Sequence, residues 1–288
     1  MIKNRKLILF SLFIALLWGG GFPISKVAIE EIGVWPFRFY ANLTSVVSLL
    51  IVVTLFFRRR PQLNDILSCI PLGIFNLFLV PLLNNLALNY TDAAKASVLV
   101  YTMPAFTSLI HLIVSRELNA RYIFVAILSC IGVLTFTAIK KMTTGEYIIL
   151  LSAFVWAIGT ILSEKIPTTL DLFSKVLYQN ITSFTLMLII TPFMPVSIYY
   201  PLSTLCEPAV LFPVLYMGIA SGVIVYVLWF YMIEHGGSVL TAYSVLLSPI
   251  ISVCLSRVFL KENITLNMLV GMMLILSSVF IAFKYKNK

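Results

Sequence analysis

Polar and aromatic side chains recur inside long apolar runs of this sequence, where they could bind a small solute. Hydrocarbon does not solvate polar groups, so in a membrane such side chains face another helix or a water-filled cavity. Amides opposite aromatic rings suit a small zwitterion or a planar metabolite, held by hydrogen bonds and stacking. The candidates for such a binding site are Trp18, Asn42, Asn76, Asn84, Asn85, Lys95, Tyr101, Trp156, Asn180, Trp229 and Ser244.

The aromatic candidates have two possible roles. Trp18 and Trp156 lie well inside their apolar runs and beside glycines, in WGGG and WAIG, whereas interfacial anchors lie at the ends of such runs. Cavity lining and anchoring therefore both stay open for them. Tyr101 belongs to a narrow stripe at helical spacing that forms either a tight helix seam or a cavity wall. The stripe consists of Ser97, Tyr101, Ala105, Ser108 and Ser115.

The amides and Lys95 also have alternatives. Asn42 and Asn180 occupy equivalent places in the two halves of the chain, which slightly favours a hydrogen bond between helices over a ligand contact. Lys95 either attracts a carboxylate or extends its amine to the membrane surface. One predicted helix carries three amides, Asn76, Asn84 and Asn85, whose counterparts in the second half are Ser221, Trp229 and Phe230.

Two prolines are predicted to bend their helices. Pro104 and Pro249 precede Glu117 and Glu262 by the same interval, and a proline inside a helix frees a backbone carbonyl. We predict gating hinges there, with both glutamates closing helix ends beside arginines. Ser244 belongs to a second polar stripe, formed by Thr241, Ser244, Ser248 and Ser252. Lys26 and Glu164, also at equivalent positions, could form an ion pair.

The sequence does not support an enzyme. His111 and His235 are its only histidines, and it lacks HExxH, a glycine-rich phosphate loop and a serine in a protease-like context. Its four cysteines show no metal-ligand spacing. We therefore predict no catalytic residues, no metal site and no cofactor.

The composition is that of a membrane protein. The sequence is 60% hydrophobic and 11% charged, with a mean hydropathy of +1.03. Its net charge of +9 does not indicate nucleic-acid binding, because the basic residues lie mainly at the ends of apolar runs. We predict an all-α polytopic fold whose partners are the lipid bilayer and a small-molecule substrate. The oligomeric state stays open.

Ten transmembrane helices are predicted, and short linkers make neighbouring helices antiparallel hairpins. Lysines and arginines favour the cytoplasmic side by thirteen to seven if both termini lie inside, with Arg38 counted on the outer side. This distribution predicts an inner-membrane protein with both termini in the cytoplasm. The spans lie near 7–25, 36–57, 66–88, 93–114, 121–140, 146–165, 172–192, 209–233, 238–257 and 266–284.

The chain contains an internal repeat. Trp18, Gly21 and Ser25 recur as Trp156, Gly159 and Ser163, and YANLTS at 40–45 recurs as YQNITS at 178–183. The two units are predicted to be 1–142 and 143–288, with five spans each. An odd number of spans inverts the second unit relative to the first, an arrangement that transporters use for alternating access.

On these residues the chain resembles the EamA-like ten-span branch of the drug/metabolite transporter superfamily over nearly its whole length. The matching segments are WGGGFPISK, ALNYTDAAKASVLVYTMPAFTSLI, GEYIILLSAFVWAIGTILSEK and GGSVLTAYSVLLSPIISVCLSRVFLKE. The resemblance implies a central cavity built mainly from spans 1, 3, 4, 6, 8 and 9, and export or exchange of small metabolites. SREL and VFLKE depart from the small–Gly–Glu turn usual in the family.

The leading functional prediction is transport of amino acids or related compounds by alternating access. Uptake or exchange of a larger metabolite, such as S-adenosylmethionine or a nucleotide derivative, is an alternative, as is multidrug export. A non-transporting membrane scaffold is the alternative of a different class, and it predicts polar faces packed together without a cavity.

Overall fold

The computed structural model describes residues 2–57, 61–115, 120–136, 142–244 and 247–285, and within these ranges it contains helices and no strand. The all-α prediction is confirmed for this part of the chain. The helices before residue 137 are α1 (Ile2–Gly19), α2 (Gly21–Ile32), α3 (Val34–Phe56), α4 (Leu63–Leu72), a first π-helical segment (Gly73–Leu79), α5 (Val80–Ala87), α6 (Ala93–Val100), α7 (Met103–Ser115) and α8 (Ala120–Phe136).

The rest of the chain repeats this order. It contains α9 (Thr144–Lys165), α10 (Leu172–Ile190), a 3-10 turn (Thr191–Phe193), α11 (Leu202–Leu205), α12 (Pro208–Leu215), a second π-helical segment (Tyr216–Val225), α13 (Tyr226–Ser244), α14 (Leu247–Phe259) and α15 (Leu266–Tyr285). Each of the two π-helical segments therefore lies inside the third long helix of its half. Gly237 interrupts α13 with φ of 79°, a conformation that glycine adopts without strain.

Seven helical stretches of the described residues are long and apolar enough to cross a bilayer core of about 30 Å. They are Leu9–Ile32, Val34–Phe56, Leu63–Ala87, Ala93–Val114, Thr144–Lys165, Leu172–Phe193 and Pro208–Ser238. Shorter apolar helices, Ile127–Phe136, Leu247–Phe259 and Leu266–Ser278, fall in the other three predicted spans. The chain is a multi-pass membrane protein, whereas the total of ten spans stays a prediction.

The helix contacts follow the internal repeat. Helix α3 packs against its counterpart α10, and α8 packs against its counterpart α15. Contacts between helices that are not counterparts also occur once in each arrangement of the two halves. Helix α5 packs on α9 and its counterpart α13 packs on α1; likewise, α7 packs on α9 and its counterpart α14 packs on α1. The first π-helical segment contacts α10 as the second contacts α3. The core is therefore a set of interfaces between the two halves of the chain.

The predicted bend before Pro104 coincides with a break between α6 and α7. The N–H groups of Tyr101 and Thr102 bond to the carbonyls of Val98 and Leu99, three residues back, at 3.2 and 3.1 Å. Proline lacks an N–H and its ring crowds the carbonyl four residues earlier, so the α-helical pattern cannot continue through this turn. The equivalent turn before Pro249 falls on residues 246 and 247, and residue 246 lies outside the described residues.

Candidate functional site

A cavity lies among the long helices and receives side chains from both halves of the chain. Its volume is about 760 Å³, including the space open to the outside. The walls come from α1, α2, α3, both π-helical segments, α5, α6, α9, α10 and α13. A cavity with aromatic walls and a few polar groups has the general character of a small-molecule site.

Most of the predicted binding residues line this cavity. Asn76, Lys95 and Trp229 do not, and the side chain of Ser244 lies outside the part of the chain that is described. Substrate binding by any of them stays a prediction. The predicted residues on the wall are Trp18, Asn42, Asn84, Asn85, Tyr101, Trp156 and Asn180.

The helices around the cavity differ from the set implied by the family resemblance. Helices α3 and α10, the second and seventh predicted spans, contribute Arg38, Asn42, Ser45 and Asn180. No described residue of α14, in the ninth predicted span, reaches the wall. The difference follows from packing, because α14 is covered by its contacts with α1 and α6, whereas α3 and α10 meet directly beside the cavity.

Three tryptophans form a compact cluster at one wall. The ring centroids of Trp18, Trp156 and Trp229 lie 5.1 to 5.3 Å from one another. Tyr226 lies 5.8 Å from Trp18, and Tyr101 lies 6.4 Å from Trp156. These separations are typical of interacting aromatic rings. Trp229 is fully buried behind the other two, so it supports the wall without forming it.

The ring of Trp18 is hydrogen-bonded to the opposite half of the protein. Trp18 Nε1 donates to Ser221 Oγ at 3.1 Å, which links α1 to the second π-helical segment. Ser221 and Asn76 occupy equivalent positions in the repeat. Asn76, however, does not bond to a tryptophan. Its Nδ2 donates to Gly159 O at 3.2 Å and to Ser163 Oγ at 3.0 Å. Asn76 therefore joins two helices behind the cavity wall.

The equivalent asparagines of the two halves bond to each other. Asn42 Nδ2 donates to Asn180 Oδ1 at 3.0 Å, and Asn180 Nδ2 donates to Val176 O at 2.9 Å and Gly222 O at 3.3 Å. Both side chains are buried at the wall. Asn42 Oδ1 has no hydrogen-bond partner among the described residues. Asn42 thus combines the contact between helices with a buried acceptor that no described residue bonds.

The first π-helical segment supplies backbone acceptors to the site. A π-turn bonds each N–H five residues back and leaves carbonyls outside the regular α-helical pattern. The carbonyl of Asn76 accepts from Tyr226 Oη at 2.7 Å, and that of Leu77 accepts from Ser183 Oγ at 2.9 Å. Arg38 Nη2 also lies 3.5 Å from Leu77 O. The irregular turn therefore fixes three side chains from α13, α10 and α3.

Arg38 is the charged residue of the cavity lining that the sequence analysis missed. Counting basic residues placed it on the outer side of the membrane, but its side chain lines the cavity and the residue is only 7% exposed. Its spacing carried a signal, because Arg38, Asn42 and Ser45 recur at intervals of four and three residues. Residues at this spacing share one face of a helix, and here that face borders the cavity.

The other charged candidates lie away from the cavity wall. Lys95 is within ion-pair distance of Asp92 at 3.6 Å and Glu146 at 3.9 Å. The suggested pair of Lys26 with Glu164 is wrong. Lys26 instead pairs with Glu262, and Glu164 accepts hydrogen bonds from the N–H and hydroxyl of Ser238. Lys26 and Glu164 occupy equivalent positions in the repeat, but each has its partner on a different segment, so they do not meet.

Glu262 closes a helix end, as predicted, but its carboxylate contacts backbone N–H groups and Lys26, and Arg257 reaches only its backbone carbonyl. Its carboxylate accepts hydrogen bonds from the backbone N–H groups of Ala93 and Ala94, at 2.8 Å each, at the start of α6. Arg257 Nη1 bonds to the backbone carbonyl of Glu262, at 3.1 Å. Glu117 lies outside the described residues.

The fold and the cavity define a multi-pass membrane protein that encloses a polar site with aromatic walls. The sequence matches the EamA-like transporter family twice, over residues 5–138 and 143–284. The chain therefore belongs to the EamA-like transporter family, and the resemblance inferred from its motifs is confirmed. Each half of the chain carries one match, so the family relationship includes the internal repeat.

Similar proteins include transporters from an archaeon and a bacterium. An uncharacterized transporter of Archaeoglobus fulgidus is 25% identical over 96% of this chain and 97% of its own length. The uncharacterized transporter YoaV of Bacillus subtilis is 23% identical, with 96% of each chain covered. A solved crystal structure shares the fold with a TM-score of 0.68, at 14% identity and 96% coverage of both chains. These similarities leave the substrate open.

Proposed function

We propose that this transporter moves amino acids or related small metabolites by alternating access through the cavity, in export or exchange. The observation that carries the proposal is the cavity itself. Both halves of the chain meet there, and Asn42 Oδ1 and Asn85 Nδ2 have no partner among the described residues. An unpaired polar atom in a membrane interior is costly, so a polar substrate that bonds to it gains binding energy. A scaffold whose polar faces are packed shut would have no such space.

Alternating access requires two structural units that can rock against each other around the site. In the proposed arrangement these are 1–142 and 143–288, with five antiparallel spans each, inverted relative to one another. The repeated helix contacts and the two π-helical segments at equivalent places support it. Several contacts made by one half recur with the partners exchanged, as expected for units related by a twofold axis.

The proposed location is the inner membrane, with both termini in the cytoplasm. The support is the excess of lysine and arginine on the side that would hold the termini, thirteen against seven. With Arg38 in the cavity, its charge no longer counts toward the outer loops. Lys175, counted on the inner side, is buried as well, so the totals become twelve against six and favour the same orientation.

A larger substrate with a planar ring is a second candidate, because the cavity has an aromatic wall. Trp18, Trp156 and Tyr101 present rings to the space, and a purine could stack on such a surface. S-adenosylmethionine or a nucleotide derivative has this feature, as do many drugs. A comparison of the flux of the two substrate classes decides between them.

The test is flux through the purified full-length chain in liposomes. Radiolabelled amino acids, S-adenosylmethionine and a nucleoside are offered separately, with and without a proton gradient and with unlabelled compound inside. The proposal expects at least one amino acid to enter faster than into protein-free liposomes, with flux that responds to the gradient or to internal compound. Flux of S-adenosylmethionine or the nucleoside alone would support the second candidate. Flux of no compound would contradict both.

A further inference from the structure

Arg38 is a buried cation without an acidic partner in the described part of the chain. A lysine or arginine near the end of a membrane helix ordinarily extends its charge to the surface, and such a side chain is exposed. Arg38, in the second turn of α3, is instead 7% exposed. Lys175, another buried cation, is paired with an acid, because its Nζ lies 3.1 Å from Glu234 Oε1. A cation that lacks such a partner in a membrane points to a ligand of opposite charge.

The described residues satisfy little of the hydrogen-bonding capacity of this guanidinium. Arginine carries five N–H donors in a planar fork. The described hydrogen bond of Arg38 is long, with 3.5 Å between Nη2 and the carbonyl oxygen of Leu77. The same carbonyl also accepts a hydrogen bond from Ser183 Oγ at 2.9 Å. The contact of Arg38 with Leu77 fixes one edge of the group, while the side chain lines the cavity. Donors are thus left for a ligand.

Other polar groups that line the same cavity complement the guanidinium. Asn85 is 4% exposed, and its Nδ2 is a second donor without a partner among the described residues. Asn42, one helical turn beyond Arg38 on α3, offers Oδ1 as an acceptor without a partner. No aspartate or glutamate of the described residues lines the cavity. The wall therefore offers one positive charge, an amide donor and an amide acceptor.

We propose that Arg38, with Asn85, forms a carboxylate subsite, so that the transported substrate carries a carboxylate group. This inference rests on the proposed transport function and narrows its substrate class. A guanidinium binds a carboxylate through two parallel N–H···O bonds, which restores the missing countercharge. Asn42 Oδ1 accepts from an N–H of the same substrate, such as an amino acid ammonium. The fixed positive charge excludes purely cationic solutes of similar size.

Matched ligands test this subsite in the unaltered protein. Tryptophan fluorescence of the purified full-length chain is titrated with each of a panel of amino acids, with the amide of each, and with the carboxylic acid that lacks the amino group. Conversion of the acid to its amide removes the negative charge and keeps the side chain. For the amino acids that bind, the inference expects Kd to rise at least tenfold in the amide. Equal binding of acid and amide would overturn it.

Variants locate the effect at Arg38. Arg38→Gln is expected to raise Kd for the acid at least tenfold and to abolish the preference over the amide. Arg38→Lys keeps the charge without the fork and should retain part of the preference. Lys165→Gln, which removes an exposed charge at the end of α9, is the matched control and should bind like the unaltered chain. An unchanged acid preference in folded Arg38→Gln, verified by size-exclusion chromatography, would overturn the assignment.

The two levels of the proposal fail separately. If liposomes with the unaltered chain accumulate only compounds without a carboxylate, the transport function stands and the subsite is wrong. If no compound of the panel binds or crosses, the transport of such metabolites is contradicted and the subsite with it. The matched amides and acids therefore decide the substrate class even if Arg38→Gln does not fold.

Discussion

Lys26 and Glu262 form an ion pair, with 3.5 Å between Nζ and Oε1, although 236 residues separate them. The same carboxylate caps the start of α6 through the N–H groups of Ala93 and Ala94. The N-terminus of a helix carries a partial positive charge, so Glu262 is attracted both to it and to Lys26. One side chain from the turn after α14 thereby ties α2 to α6. Opening of the cavity between these helices would require the contacts to break.

We predict that Glu262→Gln lowers the stability of the protein by about 1–2 kcal/mol, because glutamine keeps the size of the side chain but loses its charge. Thermal unfolding of the detergent-solubilised protein measures the effect as a lower Tm. Glu31→Gln is the matched control, since Glu31 is exposed at the end of α2. An equal Tm for the two variants would show that the carboxylate of Glu262 does not hold these helices together.

A pair of equivalent glycines is predicted to respond differently to the same change. A methyl group at Gly159 would overlap Asn76 Oδ1 and approach Phe75 Cβ at 3.1 Å, whereas one at Gly21 would meet Met217 Sδ at 3.8 Å, an ordinary contact. We expect Gly159→Ala to destabilise the protein by about 1–3 kcal/mol through overpacking, and Gly21→Ala to be neutral or slightly stabilising. Thermal unfolding compares them, and similar Tm values would contradict the predicted asymmetry.

This asymmetry shows what the repeat could and could not predict. Matching positions correctly drew attention to Trp18 with Trp156 and to Asn42 with Asn180, which contact each other at the cavity. The same reasoning failed for Lys26 and Glu164, whose partners lie on different helices. Sequence equivalence shows that two residues occupy similar places in their own halves. Contact depends in addition on where those places lie relative to the interface between the halves.

The location of the cavity was harder to predict from the sequence than the positions of the helices. Hydropathy marks helices because an apolar run of sufficient length has few alternatives in a bilayer. The rotation of each helix is set by packing, and here it also depends on two π-helical segments, which no composition signal marked. Arg38 was misplaced for a related reason. Counting lysines and arginines treats a charge near the end of a span as a surface charge, whatever face of the helix bears it.

The hydrogen bond between Asn42 and Asn180 is predicted to couple the two halves of the chain. Asn42→Ala and Asn180→Ala should each destabilise the protein, and the double variant should lose less than the sum of the two effects. Bonds between membrane helices contribute about 0.6 kcal/mol on average, with a maximum of about 1.7 kcal/mol. A double-mutant cycle of unfolding free energies measures this coupling. Strictly additive losses would show that the contact at 3.0 Å contributes nothing measurable.

The native cysteines allow a test of membrane orientation. Cys206 is exposed in the connection between α10 and α12, whereas Cys69 is buried within the helices. With both termini in the cytoplasm, this connection lies outside. We expect a membrane-impermeant maleimide to label intact cells that express the protein, and Cys206→Ser to remove most of the label. Introduced into that variant, Lys165→Cys should be labelled only after permeabilisation. Labelling of Lys165→Cys in intact cells would reverse the proposed orientation.

The last prediction separates the tryptophans that line the cavity from the one outside the cluster. Trp156 borders the cavity, whereas Trp35 packs on Phe78 and Met187 and donates to Thr191 Oγ1 at 3.0 Å. For the compound of the panel that binds most strongly, we expect Trp156→Phe to raise Kd about tenfold, because a smaller ring without an N–H offers less contact area. Trp35→Phe should leave Kd unchanged and lower stability by about 1 kcal/mol, through the lost hydrogen bond. Isothermal titration calorimetry and thermal unfolding measure the two quantities independently. Equal Kd values for both variants would place the substrate away from the tryptophan cluster, because Trp156 belongs to that cluster and Trp35 does not.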